Sequence, residues 1–257
     1  MRNYKTLYLT EPNVPRQAQQ GIADWVRQGG TLVTVSNAST RDRYDEDCDA
    51  LAKAIGIPFA RRDRILVPNA KTLRNITHGD TPVGTLNAAE TLNAVGVRDN
   101  IGVPDNLVVA KFNDGSPAII RKTVGQGTAF HFPWLPGISY WKSATATSGG
   151  LPTGFSTAIR ESIVRPTQIS GVAPPVSVNK PLVEAPLLLS PKGAAVTLLN
   201  WTGKPIDSLE VRIRIPFQVK TVESVRFGQL DFHRHGNSIT LNTPLHAADI
   251  LMLTPNP

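Results

Sequence analysis

The side chains best suited to chemistry are carboxylates near the start of the chain. An acidic run, DEDCD, occupies positions 45–49, and Glu11 and Asn13 follow the first run of β-forming residues. Glycoside hydrolysis needs two facing carboxylates, one as the acid and one as the nucleophile or base. The pair that we nominate for that role is Glu11 with Glu46, although nothing in the sequence fixes the separation between them.

The same acidic run has a structural interpretation, which we favour. Negative charge at the start of a helix is stabilised by the helix dipole. The functional alternative is a polar ligand site at the carboxyl end of strand 31–35, where open α/β sheets bind ligands. The residues that would line this site are Glu11, Asn13, Asp45 and Glu46.

Nucleophilic and metal chemistry have weaker candidates. Cys48 is the single cysteine, and it lies between two acidic residues, which disfavours a reactive thiolate. His233 and His235 share one face of a predicted strand, and His246 is a third candidate, but no carboxylate or thiol at ligand spacing accompanies them. The glycine motifs of dinucleotide, phosphate and nucleophile-elbow sites are absent. We therefore predict a buried Cys48, no metal site and no cofactor.

Composition and charge restrict the class of protein. The 257 residues are 40% hydrophobic and 18% charged, which is typical of globular domains. The net charge is +7, but the basic residues are scattered, so nucleic-acid binding is disfavoured. The sequence contains no apolar run of ~20 residues and no signal peptide, and taken literally it predicts a cytoplasmic protein. A core strand that begins at residue five predicts instead that the chain is the tail of a longer protein, with Met1 not the true start.

Strand and helix signals alternate in the first half. The runs 5–10 and 31–35 predict buried strands, and the apolar spacing of Ala18, Ile22 and Trp25 between them predicts a helix. Two strands joined by one helix predict a parallel pair. A second helix starts near Cys48. Irregular β-rich chain occupies 61–106, and hairpins with turns at 113–115 and 125–127 follow. A helix from Phe155 to Ile163 is expected to stop at Pro166.

An aromatic stretch, PWLPGISYW, follows the last strand of this first part. Its Pro136-Gly137 step predicts a sharp turn. Trp134, Tyr140 and Trp141 are predicted to pack at a seam against the helix at 155–163. The alternative is an exposed platform for a sugar or for another subunit. From about 167 the chain contains short alternating strands separated by glycine turns, which predicts an antiparallel sandwich.

Three segments together resemble a known family. They are YKTLYLTEPNVPRQAQQGIADWVRQGGTLVTV, the polar loop with RYDED, and KFNDGSPAIIRKTVGQGTAFHFPWLPGISYW. Their order resembles the β-galactosidase trimerisation domain of family 42 glycoside hydrolases, a flavodoxin-like, class I glutamine-amidotransferase-like domain that has lost its nucleophile. The family's Gly-Gly-Thr-Leu-Val turn and strand corresponds to 29–33, its F-x-D-G-x-P-A hairpin to 112–118, and its G-x-G strand to 125–132.

Two parts of the family pattern are missing from this sequence. The family's domain starts with another strand–helix unit, and its catalytic barrel carries the acid and the nucleophile. The resemblance covers roughly 4–141, and the strands from 167 look more loosely like the small β domain that closes such hydrolases. The resemblance therefore implies a carbohydrate-active ancestry and transfers no catalytic residue to this chain.

These observations predict an incomplete flavodoxin-like α/β domain with a β-rich insertion at 1–166 and a small antiparallel β-sandwich at 167–257. The resemblance implies a non-catalytic accessory and oligomerisation region, whose partners are copies of itself or a glycoside hydrolase barrel. Two alternatives stay open. One is a carbohydrate-binding module in which Trp201 or Phe232 stacks on a sugar, and the other is a small glycoside hydrolase that uses the carboxylates at the strand ends. We expect neither a nucleic-acid nor a membrane partner.

Overall fold

The computed structural model describes residues 3–60, 81–87, 90–94, 97–112, 114–144 and 152–256. The chain divides into two compact units. The first, which we call the α/β unit, comprises Met1–Thr145 and Gly154–Val172, and the second, the β unit, comprises Ala146–Thr153 and Ala173–Pro257. In the described part of the chain, no helix has both the length and the apolar character needed to cross a membrane.

The α/β unit is built on a mixed five-stranded sheet. The described strands of the whole unit are β1 (Thr6–Leu9), β2 (Thr31–Val35), β3 (Thr81–Asn87), β4 (Glu90–Ala94), β5 (Val108–Lys111), β6 (Pro117–Val124) and β7 (Gly127–Phe132). The order in the sheet is β1-β2-β7-β6-β5, whereas β3 and β4 form a separate hairpin. β1, β2 and β7 are parallel, and β6 and β5 are antiparallel to them. The predicted parallel pair and both predicted hairpins are confirmed; residues 61–80 of the predicted β-rich segment lie outside the described residues.

Four described helices cover this sheet. They are α1 (Arg16–Arg27), α2 (Ala50–Ile55), α3 (Pro136–Ser143) and α4 (Thr157–Ile169). α1 forms as predicted, with Ile22, Trp25 and Val26 buried, although Gln19 takes the buried position expected of Ala18. α2 begins two residues after Cys48, which is itself buried as predicted.

Apolar side chains pack on both faces of the sheet. Along β2, Leu32 joins the cluster under α1 and α2, and Val33 joins the cluster under α4. Neighbouring strand residues point to opposite faces, so a strand covered on both sides is apolar throughout. β1 was predicted to be buried as well, but it is an edge strand whose Tyr8 is 39% exposed. One of its sides has no strand partner, which leaves its side chains half-covered.

One glycine of the 125–127 turn is required by close packing. A Cβ at Gly127 would lie 2.0 Å from the carbonyl oxygen of Val26 and 2.3 Å from that of Gly30. Main-chain atoms cannot move aside as a flexible side chain can, so only glycine fits here. The turn thereby packs directly against the end of α1.

The aromatic stretch differs from its predicted form. Pro136-Gly137 starts helix α3 and does not form a turn, because proline is well suited to a first helical position, where its missing N–H has no partner to lose. Trp134 is fully buried, and its indole Nε1 donates to the carbonyl oxygen of Ala118 at 2.9 Å.

Helix α4 continues through Pro166 to Ile169, although the sequence predicted that it would stop at Pro166. The boundary predicted after residue 166 thus falls inside α4, whereas the two units divide between 172 and 173.

The β unit consists of two antiparallel sheets. Its strands are β8 (Val176–Val178), β9 (Val183–Glu184), β10 (Leu187–Ser190), β11 (Gly193–Asn200), β12 (Ile206–Arg214), β13 (Val219–Ser224), β14 (Gly228–Leu230), β15 (His233–His235), β16 (Ser238–Leu245) and β17 (Ala248–Pro255). One sheet has the order β10-β11-β17-β13-β14 with β9 beside β11, and the other has the order β15-β16-β12-β8. A single apolar core takes residues from both, including Leu198 and Val211. The chain is therefore a mixed α/β protein with a large β content.

Trp134 should be the most costly aromatic side chain to remove. Trp134→Ala leaves a cavity beside α4, and we expect the free energy of unfolding to fall by about 3–5 kcal/mol and the melting temperature to fall on the order of 10 °C. Trp141 is 42% exposed, so Trp141→Ala is the matched control and should melt close to the unmodified protein. Thermal denaturation of both variants tests this, and similar melting temperatures for the two would contradict it.

His131 should make the α/β unit sensitive to mild acid. Its ring is fully buried, Nδ1 lies 2.9 Å from Thr34 Oγ1, and Phe59 stacks on it at 4.8 Å. Burial lowers the pKa of His131 from 6.5 to about 3. The ring therefore binds a proton in the unfolded chain but not in the folded one as the pH drops below 6.5. The unfolding free energy should fall by about 2 kcal/mol between pH 7.5 and pH 5.

Urea denaturation across that pH range measures the effect. His131→Asn should be less stable but should show a flatter pH dependence, because the group that takes up the proton is gone. His233→Asn, which changes an exposed histidine, should keep the slope of the unmodified protein. A slope that survives His131→Asn would contradict the assignment.

Candidate functional site

The loops that follow β1 and β2 are joined by main-chain hydrogen bonds. The Val14 N–H donates to the carbonyl oxygen of Arg41 at 2.9 Å, and the Arg41 N–H donates to that of Pro12 at 3.0 Å. The Ser39 N–H reaches the carbonyl oxygen of Glu11 at 2.8 Å. Because β1 and β2 are parallel, both loops leave the same edge of the sheet, as the sequence predicted for this polar site.

Three of the four predicted ligand residues meet between these loops. The Asn13 side-chain amide donates to a carboxylate oxygen of Asp45 at 2.8 Å and to the Asp42 carbonyl oxygen at 3.1 Å. Glu46 accepts a long hydrogen bond, 3.4 Å, from the guanidinium group of Arg16. Glu11 is exposed and joins the group through its main chain.

The residue at the centre of the cluster, Asp42, was not singled out from the sequence. Its side chain is 5% exposed, and one oxygen accepts from Arg16 Nε at 2.8 Å. The other oxygen accepts the main-chain N–H groups of Tyr44 at 2.9 Å and Glu46 at 3.1 Å. The sequence signal for this contact is the alternation of basic and acidic residues in RDRYDED, at 41–47. Asp42 therefore fixes the turn that carries Asp45 and Glu46.

Electrostatics at the cluster favour ionised carboxylates. Burial of Asp42 favours its protonated form, but the Arg16 guanidinium and two main-chain N–H groups outweigh burial and hold the pKa of Asp42 below its usual 3.8. A general acid for glycoside hydrolysis needs the opposite shift, a pKa raised toward neutrality. Arg41 adds a second positive charge, 3.9 Å from Asp45. The arrangement is thus suited to holding two loops together.

The other candidates for chemistry are not assembled into a site. Cys48 is buried, and its N–H donates to the Thr40 carbonyl oxygen at 3.0 Å. His233 and His235 lie exposed on β15, and His246 contacts Phe227 edge-on. Within the described ranges, no three histidine, cysteine or acidic side chains are grouped closely enough to hold a metal ion.

The predicted seam residues occupy three different environments. Trp134 is in the core beneath α4, and Tyr140 stacks on Phe155 with ring centroids 4.9 Å apart. Trp141 exposes 42% of its surface on α3.

A separate cleft of about 620 Å³ lies between α4 and the sheet. Arg121 and Arg165 are in its lining, and none of the predicted ligand residues is.

Removing the Asp42 carboxylate should loosen both loops. Asp42→Ala leaves the Nε of Arg16 and two main-chain N–H groups without their acceptor, so we expect a lower melting temperature and faster proteolysis within residues 36–49. Glu46→Ala is the matched control, because the Glu46 side chain is 69% exposed and its single bond is long. Limited proteolysis followed by mass spectrometry locates the cuts.

Acid should have the same effect as the Asp42 variant. A carboxylate with a lowered folded pKa stabilises the protein fully above its unfolded pKa, near 3.8, and this contribution is lost as the pH falls through the folded value. As the pH falls below 4, Asp42→Ala should lose less unfolding free energy than the unmodified protein. Equal protease resistance and equal acid profiles in Asp42→Ala and Glu46→Ala would contradict the central role of Asp42.

Comparison with known proteins supports a glycoside-hydrolase fold. No family model matches the sequence, and no curated protein is similar enough to match it. The β-galactosidase from Rahnella sp. R3 superposes with a TM-score of 0.61 at 14% identity, over 97% of this chain and 32% of that one. A catalytic mutant of Gan42B, a GH42 β-galactosidase from G. stearothermophilus, gives 0.59 at 14% identity, over 100% and 32%.

An enzyme with another substrate has the same fold. The α-L-fucosidase isoenzyme 2 from Paenibacillus thiaminolyticus gives a TM-score of 0.59 at 14% identity, over 99% of this chain and 41% of that one. The chain thus spans about a third of the length of the β-galactosidases that it matches. Its fold is that of one region of these larger glycoside hydrolase chains.

Proposed function

We propose that this chain is a non-catalytic accessory and oligomerisation region of a family 42-like glycoside hydrolase. The observation that carries the proposal is the unequal coverage of the structural match: 97% or more of this chain corresponds to 32% of each β-galactosidase chain. A fold that accounts for nearly all of one chain and a third of the other is what a separate part of the larger enzyme should give. The resemblance of 4–141 to the trimerisation domain is the reason for proposing that this part is the trimerisation domain.

The domain assignment is part of the same proposal. We assign an amidotransferase-like trimerisation domain to 1–166, the range that contains most of the α/β unit, and a closing β-sandwich to 167–257, the range that contains most of the β unit. Parallel strands β1 and β2, the intervening α1 and the helices on both faces support an incomplete flavodoxin-like domain. The absence of a nucleophile elbow from the sequence agrees with a non-catalytic descendant.

The charge cluster supports a structural role for the carboxylates. Asp42 is ionised by its hydrogen bonds, and Asp45 and Glu46 contact Asn13, Arg41 and Arg16. The alternative, a ligand site or small hydrolase built from Glu11, Asn13, Asp45 and Glu46, requires one of these acids to hold a proton near neutral pH. The contacts of Asp45 with Asn13 and of Glu46 with Arg16 instead use these side chains to join the two loops.

Exposed apolar side chains on the helices support self-association. Trp141 on α3, Val164 on α4 and Ile169 on α4 expose 42%, 39% and 43% of their surfaces. Apolar side chains that an assembly covers are exposed in its isolated part. In this proposal these side chains are covered by further copies of the chain or by a catalytic barrel.

The purified chain should cleave no glycoside. Aryl β-galactosides and aryl α-L-fucosides, chosen after the matched enzymes, are the test substrates, and release of the aryl alcohol is followed by absorbance. We expect no rate above the buffer background, because the described residues contain no assembled pair of acid and nucleophile. Turnover by the unmodified chain that disappears in Glu11→Gln or Glu46→Gln, but not in Glu161→Gln, would overturn the non-catalytic assignment.

A further inference from the structure

Exposed aromatic rings gather at one end of the β unit. β11 ends at Asn200 just before Trp201, β17 begins just after His246, and β13 ends shortly before Phe227. β17 lies between β11 and β13 and is antiparallel to both, with Leu199 opposite Ala248 and Ser224 opposite Leu251. The carboxyl ends of β11 and β13 and the amino end of β17 therefore lie at the same end of the sheet. Single exposed aromatic residues are common, whereas exposed rings that lie close to one another often mark a binding surface.

The loop that carries Trp201 is tied to the turn that carries His246. The Asn200 side-chain amide donates to the carbonyl oxygens of His246 at 2.6 Å and Lys204 at 2.7 Å. Its side-chain oxygen accepts the N–H of Thr202 at 2.9 Å and the hydroxyl of Thr202 at 2.6 Å. One asparagine therefore holds both segments in fixed positions, while Trp201 itself stays 43% exposed.

The turn that carries Phe227 is held by a buried pair. Ser224 and Asp249 are almost inaccessible to solvent, and the serine hydroxyl donates to the aspartate at 2.5 Å. The same hydroxyl accepts the N–H of Phe227 at 2.9 Å. Phe227 remains 40% exposed and meets the His246 ring edge-on, with centroids 6.0 Å apart. Buried polar groups thus hold an exposed ring in place.

We propose that Trp201, His246 and Phe227 form a carbohydrate-binding platform, which we call the aromatic edge. Sugar rings present a face of C–H groups with positive partial charge, which packs on the negative face of an aromatic ring. Hydroxyl groups at the rim of the sugar need hydrogen-bond partners, and the exposed side chains of Lys204 and Arg226, in the same turns as the rings, can donate to them. Because these turns are already fixed by hydrogen bonds, binding requires little ordering of the protein.

Phe232, the other aromatic residue considered from the sequence, is less suited to this role. It packs partly against the core of the β unit, and the Arg234 guanidinium lies over its ring at 5.3 Å. A ring face already covered by a cation is not free to stack on a sugar. The choice of a carbohydrate as ligand rests on the proposed function, whereas the position of the site rests on the geometry of the aromatic edge.

Affinity electrophoresis tests the platform directly. The full chain is run through native gels that contain galactan, xylan, mannan or starch, and the retardation relative to a ligand-free gel gives the affinity. We expect retardation by at least one polysaccharide, and a loss of affinity of at least about tenfold in Trp201→Ala. Phe227→Ala is a second variant on the same surface and should also weaken binding.

Two controls separate binding from folding. Tyr4→Ala removes an aromatic ring that is 70% exposed from the other unit, and Phe232→Leu removes the covered ring. Both should keep the retardation, and the melting temperature of each variant shows whether it has folded. If no polysaccharide retards the unmodified chain, or if folded Trp201→Ala and Phe227→Ala are retarded equally with it, the platform is wrong. Either result leaves the assembly proposed above untouched, because assembly is measured by mass.

Discussion

Burial of β2 and β7 on both faces is the constraint on which the α/β unit depends. Every residue of β2 and all but one of β7 are inaccessible or nearly so. Their main-chain polar groups must be paired away from water, which requires a neighbouring strand on each side. The apolar side chains likewise require a layer of helices above and below. The parallel β1, the antiparallel β6 and the helices on both faces all satisfy these requirements.

Placement of polar chemistry follows from that constraint. Because β2 and β7 are buried, the charged residues of this region lie in the loops after β1 and β2, where the chain turns at the edge of the sheet. Asp42 is buried there, and hydrogen bonds from Arg16 and two main-chain N–H groups offset the free-energy cost of removing its carboxylate from water. The side chains of Asp45 and Glu46, first considered for hydrolysis, contact Asn13 and Arg16 of the adjacent loop.

The sequence predicts local features well and distant pairings poorly. The spacing of Ile22 and Trp25 was enough for α1, and the Asp114-Gly115 turn was enough for its hairpin, because both depend on near neighbours. Asp42 and Arg16 are 26 residues apart and meet only when two loops close, so no spacing rule identifies them. Pro136 and Pro166 were misinterpreted because proline is compatible with a helix where its missing N–H is tolerated.

In the proposed function the two units are part of a larger glycoside hydrolase: one supplies a sheet covered by helices, and the other supplies turns that carry exposed aromatic rings. Sedimentation equilibrium tests this account most directly, with the purified chain alone and mixed with a family 42 catalytic barrel expressed without its own C-terminal part. The account predicts the mass of a defined oligomer for the chain alone, or of a stoichiometric complex in the mixture. A monomer at every concentration, with and without the barrel, would contradict it.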